Sequence, residues 1–175
     1  SCPEGRSSNN IGATVETVCQ FCQKGYFAEG RAMHMCTPCS AGFFGNVSGA
    51  TSHTSCQFCP AGYYTHDKLG NSACLACTEG TYSTKTSAFN VSVCQRCGEG
   101  KYSTILGASS NSSCISCKKG KAGNGKEGQV SPDSCRECMA GHYANAYTGA
   151  TKCLICEAGK YEDKNGSVLG CQQCD

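Results

Sequence analysis

The chain has 175 residues, with 19 Cys, 22 Gly, 4 Pro and no Trp, and 15 Lys and Arg against 13 Asp and Glu leave a formal net charge of +2. Leu, Ile, Val and Phe together number 22, below the roughly 20% of residues that an ordinary packed core requires, and the near-zero charge excludes both a self-repelling disordered chain and the basic surface that nucleic acid demands. Cysteine at about 11% points to a chain held by cross-links, and no apolar run is long enough to span a bilayer or to serve as a signal peptide. A soluble segment, excised from a longer protein, is expected.

In chain order, a lone Cys2 is followed by nine C-x-x-C pairs: Cys19/Cys22, Cys36/Cys39, Cys56/Cys59, Cys74/Cys77, Cys94/Cys97, Cys114/Cys117, Cys135/Cys138, Cys153/Cys156 and Cys171/Cys174. The period is about 19 residues, which marks a tandem array. Three residues after Cys2 and after each of the next eight second cysteines comes a glycine: Gly5, Gly25, Gly42, Gly62, Gly80, Gly100, Gly120, Gly141 and Gly159. That regularity predicts a turn position with φ > 0. Two residues further on stands an aromatic in seven repeats, Phe27, Phe44, Tyr64, Tyr82, Tyr102, Tyr143 and Tyr161, with Ser7 and Ala122 as the departures. These rings are expected to lie over the cysteines as a miniature core. The rest of each repeat is polar and turn-rich, as in Gly107-Ala108-Ser109-Ser110-Asn111-Ser112-Ser113, without helical periodicity. The predicted fold class is small disulfide-rich tandem repeats: an elongated rod of irregular short β-hairpin units with little regular secondary structure. Its units are 2–19, 22–36, 39–56, 59–74, 77–94, 97–114, 117–135, 138–153 and 156–171, and a truncated tenth starts at 174.

Cys59-Pro-Ala-Gly62-Tyr-Tyr64-Thr and Cys77-Thr-Glu-Gly80-Thr-Tyr82-Ser-Thr make the chain resemble the ephrin-receptor-like cysteine-rich repeat, which is related to the first half of tumour-necrosis-factor-receptor modules. The long uninterrupted array, rich in Ser, Thr, Asn and Ala, also resembles protist surface proteins, in particular ciliate immobilisation antigens.

Three chemistries compete for C-x-x-C: disulfide scaffold, zinc site and dithiol redox centre. In a serial scaffold, Cys2 pairs with Cys19, Cys22 with Cys36, Cys39 with Cys56, Cys59 with Cys74, Cys77 with Cys94, Cys97 with Cys114, Cys117 with Cys135, Cys138 with Cys153, and Cys156 with Cys171. Cys174 is left over for the truncated unit. Each loop then stabilises the fold by about 3 kcal/mol in the chain-entropy model. A nested pairing, such as Cys19 with Cys36 and Cys22 with Cys39, stays open, but the Gly and aromatic marks recur in every unit and favour the serial one. Four-thiolate zinc sites match the spacing as well. Against them stand four N-glycosylation sequons, at Asn46, Asn90, Asn111 and Asn165, all in polar loops, which fit a secretory route and oxidising surroundings. Nine near-equal copies argue against a tuned redox dithiol.

Weaker motifs read as ordinary surface. Gly120-Lys-Ala-Gly-Asn-Gly125-Lys126 lacks the Ser or Thr of a phosphate-binding loop, because Glu127 follows. Lys118, Lys119, Lys121 and Lys126 form a basic cluster that a solvated turn explains, although a glycine-rich unit without its aromatic is also where a contact or extra mobility is expected. His34, His53, His66 and His142 occupy unrelated repeat positions, which makes a catalytic triad improbable. Phe21, Phe58 and Phe89 are candidates for lateral contacts.

The sequence therefore predicts a non-enzymatic extracellular or cell-surface protein, a structural or surface-coat array forming stalks or filaments, without cofactor, metal or catalytic residues. Its expected partners are other copies or neighbouring surface proteins, with N-glycans and without nucleic acid. A ligand-binding receptor ectodomain is the alternative, and a zinc-binding C-x-x-C array the second. A rod of nine units advancing about 10 Å each has a radius of gyration of about 26 Å, against ~16 Å for a compact chain of this length. Small-angle scattering is expected to return the larger value, and the smaller one removes the rod.

Overall fold

The computed structural model describes residues 1–12, 14–168 and 170–174. Among these there is no α-helix, and the regular structure consists of nine two-stranded antiparallel hairpins and five single 3-10 turns. Two compact units divide the chain: Ser1–Cys77 with Thr84–Val93, and Thr78–Ser83 with Cys94–Asp175.

In the first unit the strands Arg6–Ser7, Tyr26–Phe27, Phe43–Phe44 and Tyr63–Tyr64 pair with Gln20–Phe21, Thr37–Pro38, Gln57–Phe58 and Leu75–Ala76. In the second unit Thr81–Tyr82, Lys101–Tyr102, Lys121–Ala122, His142–Ala144 and Lys160–Tyr161 pair with Gln95–Arg96, Ile115–Ser116, Arg136–Glu137, Cys153–Ile155 and Gln172–Gln173. One strand follows the repeat glycine and the other is the x-x of C-x-x-C. That dipeptide is extended because the cysteines on either side are tied to different loops. Polar residues before the first cysteine shape the 3-10 turns: the Ser52 and Ser131 hydroxyls accept from the backbone N–H of Thr54 and Asp133, the local side-chain capping that Ser supplies at such ends.

The disulfides are serial. Cys2–Cys19, Cys22–Cys36, Cys39–Cys56, Cys59–Cys74, Cys97–Cys114, Cys117–Cys135, Cys138–Cys153 and Cys156–Cys171 close loops of 14 to 18 residues. Cys77 and Cys94 are disulfide-bonded too. A backbone hydrogen bond accompanies each closure: the second cysteine of every motif donates its N–H to the carbonyl of the repeat glycine, as in Cys22 to Gly5 at 2.9 Å, Cys59 to Gly42 at 3.0 Å and Cys117 to Gly100 at 2.8 Å.

Neighbouring repeats are joined through the residue after the aromatic position. Ala28, Thr65 and Ser103 are each fully buried there, with Ala144 and Ser83 alongside. In the first unit the N–H of Ala28 donates to Ala50 O at 3.0 Å while its carbonyl accepts from Gly5 N–H at 3.0 Å. In the second unit Ser103 bonds Gln129 O at 2.9 Å and accepts from Gly80 N–H at 2.8 Å. One small residue thus relays main-chain hydrogen bonds across three successive repeats. Thr65 varies the device, its Oγ1 taking the Gly42 N–H at 2.8 Å.

The rings are not the core. Phe27, Phe44, Tyr64, Tyr82, Tyr102 and Tyr143 are half-buried and Tyr161 is exposed. What lies inside is sulfur and small side chains, including a cluster of Ala122, Cys138, Ala144 and Ala150. Backbones that approach this closely leave room for a methyl or hydroxyl and none for a ring, so the aromatics flank the contact. Ala122, one of the two departures, is buried and sits in an ordinary hairpin.

Contacts also reach beyond nearest neighbours, contrary to a simple one-dimensional stack. A Cβ on Gly5, Gly25 or Gly42 would overlap the carbonyl oxygen of Gly49, Gly70 or Ser87, two repeats on; in the second unit Gly80, Gly100 and Gly120 meet Gly128, Gly149 and Gly166 in the same way. The residues that face these glycines form a second left-handed position, occupied by glycine or by Ser87 (φ 52°), and Ala32 (φ 61°) is left-handed at the same place in the second repeat. Their N–H groups bond the carbonyl of the cysteine that opens the preceding repeat, as in Ala32 to Cys2 at 2.9 Å and Ser87 to Cys59 at 2.8 Å.

Two substitutions test this arrangement. Gly100→Ala puts a methyl group into the Gly149 carbonyl and a left-handed φ on an L-residue, which alone costs about 1–2 kcal/mol, and is expected to lower the thermal midpoint with all disulfides intact. Ser87→Gly relieves the same backbone cost and is expected to raise the midpoint, by about 1 kcal/mol of stability at most. Calorimetry on the oxidised variants checks both signs.

Candidate functional site

The cysteines decide the chemistry first. Eighteen of the nineteen are consumed in disulfides, and Cys174 is the exposed free thiol. The zinc alternative is therefore not supported: its thiolate ligands are bonded to one another, and among the described residues no group of three or more His, Cys, Asp or Glu is placed to hold a metal ion. Cys174 still occupies its repeat position, donating its N–H to Gly159 O at 2.9 Å.

The sequon asparagines do not share a place in the repeat. Asn46, Asn111 and Asn165 are exposed and Asn90 is half-buried. Asn46 follows the buried small position of its repeat, Asn111 opens a 3-10 turn, and Asn165 accepts the Ala140 N–H on Oδ1 at 2.8 Å. Asn90 is engaged on both sides: Nδ2 donates to Asp67 Oδ2 at 2.9 Å, and Oδ1 accepts from Ser92 N–H at 2.9 Å.

Asp67 with Asn90 is a polar bracket that joins the side of one repeat to the 3-10 turn of the next. Another is Glu29, whose Oε1 accepts the backbone N–H of His53 at 2.7 Å and lies 2.6 Å from His53 Nδ1. Phe27 meets the same imidazole edge-on, with centroids 6.5 Å apart. The backbone N–H of His53, then its side chain, hold the Glu29 carboxyl below the usual carboxylate value. No sequence signal linked Glu29 to His53, since the pairing depends on how one loop lies against the next.

The remaining candidates scatter. His34 and His66 are exposed, and His142 pairs across a hairpin with Ile155. The lysine cluster splits: Lys119 Nζ stands 5.2 Å from the Tyr147 ring centroid, while Lys121 faces Glu137 across its hairpin. The loop at Gly120–Lys126 leads into no helix, and its Lys126 N–H bonds Asn124 Oδ1 at 3.1 Å instead of framing an anion cradle. Phe21, Phe58 and Phe89 are all more than half exposed, and the Arg6 guanidinium lies 3.9 Å from the Phe21 ring centroid. No helix among the described residues is long and apolar enough to cross a membrane.

The bracket titrates with a defined sign. Because Glu29 is depressed in the folded state, its stabilisation is complete above the ordinary carboxylate value and is lost as pH falls through the lower folded value. In a pH series of amide spectra, the His53 N–H is expected to shift with a midpoint below that of an unperturbed glutamate, and Glu29→Gln is expected to abolish that titration.

A family model described as tyrosine-protein kinase ephrin type A/B receptor-like matches residues 52–94, about a quarter of the chain. No curated protein matches the sequence. The matched stretch carries the same glycine, small-residue and cysteine positions as the repeats around it. The chain is thus a run of nine disulfides that includes a receptor-like cysteine-rich module, of the kind that oxidising, extracellular surroundings sustain.

Proposed function

We propose that this chain is a non-enzymatic structural or surface-coat protein of the cell exterior, a stalk- or filament-forming array displaying glycans on Asn46, Asn111 and Asn165, with Asn90 as a fourth acceptor. The observation that carries this reading is the recurrence of one main-chain latch, in which a left-handed glycine seats a carbonyl from two repeats on, at six places in the two units. A latch made of backbone and sulfur stiffens a chain without using any of its exposed side chains, which suits a scaffold. Such an array resists proteases because its loops are short and tethered at both ends. Its resemblance in style to ciliate immobilisation antigens points the same way.

The receptor-like match over residues 52–94 favours a second reading, a segment of a ligand-binding ectodomain. The two differ in assembly. Under the coat reading, the oxidised chain is expected to form oligomers whose size grows with concentration in sedimentation velocity runs, and to be cleaved by trypsin about tenfold faster, or more, after reduction. A chain that stays monomeric at every concentration overturns the coat reading in favour of the receptor-like one.

A further inference from the structure

The first repeat departs from the pattern in one position: Ser7 stands where seven others carry an aromatic ring. In the second repeat the ring at that position, Phe27, reaches across to His53 in the following loop. Ser7 does not fill this space. Its hydroxyl contacts Cys36 Sγ at 3.2 Å, and the loop opposite belongs to the shortest disulfide circuit in the list above, Cys22–Cys36 with a separation of 14. Together the missing ring and the short loop leave a groove of about 340 Å³, bordered by Cys22 and Cys36. The other departure, Ala122, opens no comparable need for a ligand, because Ala144, Ala150 and Cys138 close over it.

The groove's chemistry is specific in kind. Phe21 and Tyr26 supply aromatic surface, and Asn9, Gln20 and Gln23 supply uncharged donors and acceptors, with the His34 ring beside them. Among the described residues no Asp, Glu, Lys or Arg lines it. Arg6 lies over the Phe21 ring and is not part of the lining. An open groove of this size, with aromatic and carboxamide groups side by side, suits a polar ligand that keeps part of its surface in water. Carboxamides offer a donor and an acceptor side by side, which matches adjacent hydroxyls, while ring faces match the C–H face of a pyranose. Apart from Arg6, which is engaged with the Phe21 ring, a charged ligand finds no counter-ion among the described lining residues.

We propose that this groove binds a neutral saccharide, packed against Phe21 and Tyr26 and hydrogen-bonded by Asn9, Gln20 and Gln23. The site goes beyond the coat reading and does not depend on it: self-association and sugar binding are measured separately, and either can fail alone. Its occupant is a short uncharged glycan chain, and the absence of the repeat's own aromatic is what admits it.

The test titrates isotopically labelled oxidised chain with chitotriose, mannotriose, cellotriose and lactose, each to about 10 mM, well above the millimolar range of weak binding. At least one is expected to shift the amides of Asn9, Gln20, Gln23 and His34 and to leave the second compact unit unmoved. Ser7→Tyr restores the residue type found in the other repeats, so it is expected to keep the rest of the spectrum and all disulfides while raising the dissociation constant at least about tenfold. Phe21→Ala should weaken binding similarly. The proposal is overturned if none of the four sugars shifts these residues, if binding survives Ser7→Tyr undiminished, or if a heparin-derived tetrasaccharide binds there in preference to the neutral probes.

Discussion

The close approach of one main chain to another, repeated at six left-handed glycines from Gly5 to Gly120, is the constraint on which this molecule depends. Disulfides shorten the loops, but a loop closed by sulfur alone has no fixed relation to the next. That relation comes from the small buried residue that passes hydrogen bonds on both sides, Ala28 between Gly5 and Ala50, or Ser103 between Gly80 and Gln129. It also requires a glycine whose missing Cβ admits a carbonyl from two repeats away. Each device works only at short range, and the two reinforce each other: the bridge holds the backbone near enough for the latch, and the latch keeps water from the sulfur.

This explains how a chain with so few large apolar side chains excludes water at all. Seven second cysteines of the C-x-x-C motifs, from Cys22 to Cys138, are almost fully buried, whereas several of the first cysteines, such as Cys36, Cys56 and Cys74, are only partly covered. The Cys138 half of one bridge, for example, lies in a cluster with Ala122, Ala144 and Ala150. Dispersion contacts of sulfur and methyl groups, satisfied backbone polar groups and tethered loops share the work that a layer of Leu and Phe does elsewhere.

Much of this was legible in the sequence, and what escaped has physical reasons. Cysteine spacing and the glycine after it announced the repeat, its hairpins and the turn at φ > 0, because those demands admit few residue types. The inner position carries no sequence signal because Ala28, Gly45, Thr65 and Ala144 share size and not chemistry, and the aromatics beside it are the larger apolar groups. The second left-handed position was hidden by Ala32 and Ser87, which adopt it without being glycine. Contacts two repeats apart cannot be read from a period, which gives spacing along the chain and not geometry across it. The Glu29–His53 bracket and the space beside Ser7 both arise from how neighbouring loops meet, and no spacing encodes that.

The hairpin strand inside each C-x-x-C has a different lot. Gln20-Phe21, Thr37-Pro38, Leu75-Ala76 and Arg136-Glu137 occupy the same extended dipeptide, yet they share neither charge, size nor polarity. The second residue of the dipeptide lies beside the latch, Phe21 against Gly49, Arg96 near Gly128 and Glu137 near Gly166, and the missing Cβ of that glycine leaves room for side chains of different size and charge. The outward dipeptide is therefore a blank tile: lineages can repaint it, tile by tile, while the masonry behind keeps its shape, and one architecture can wear many faces toward whatever it meets outside.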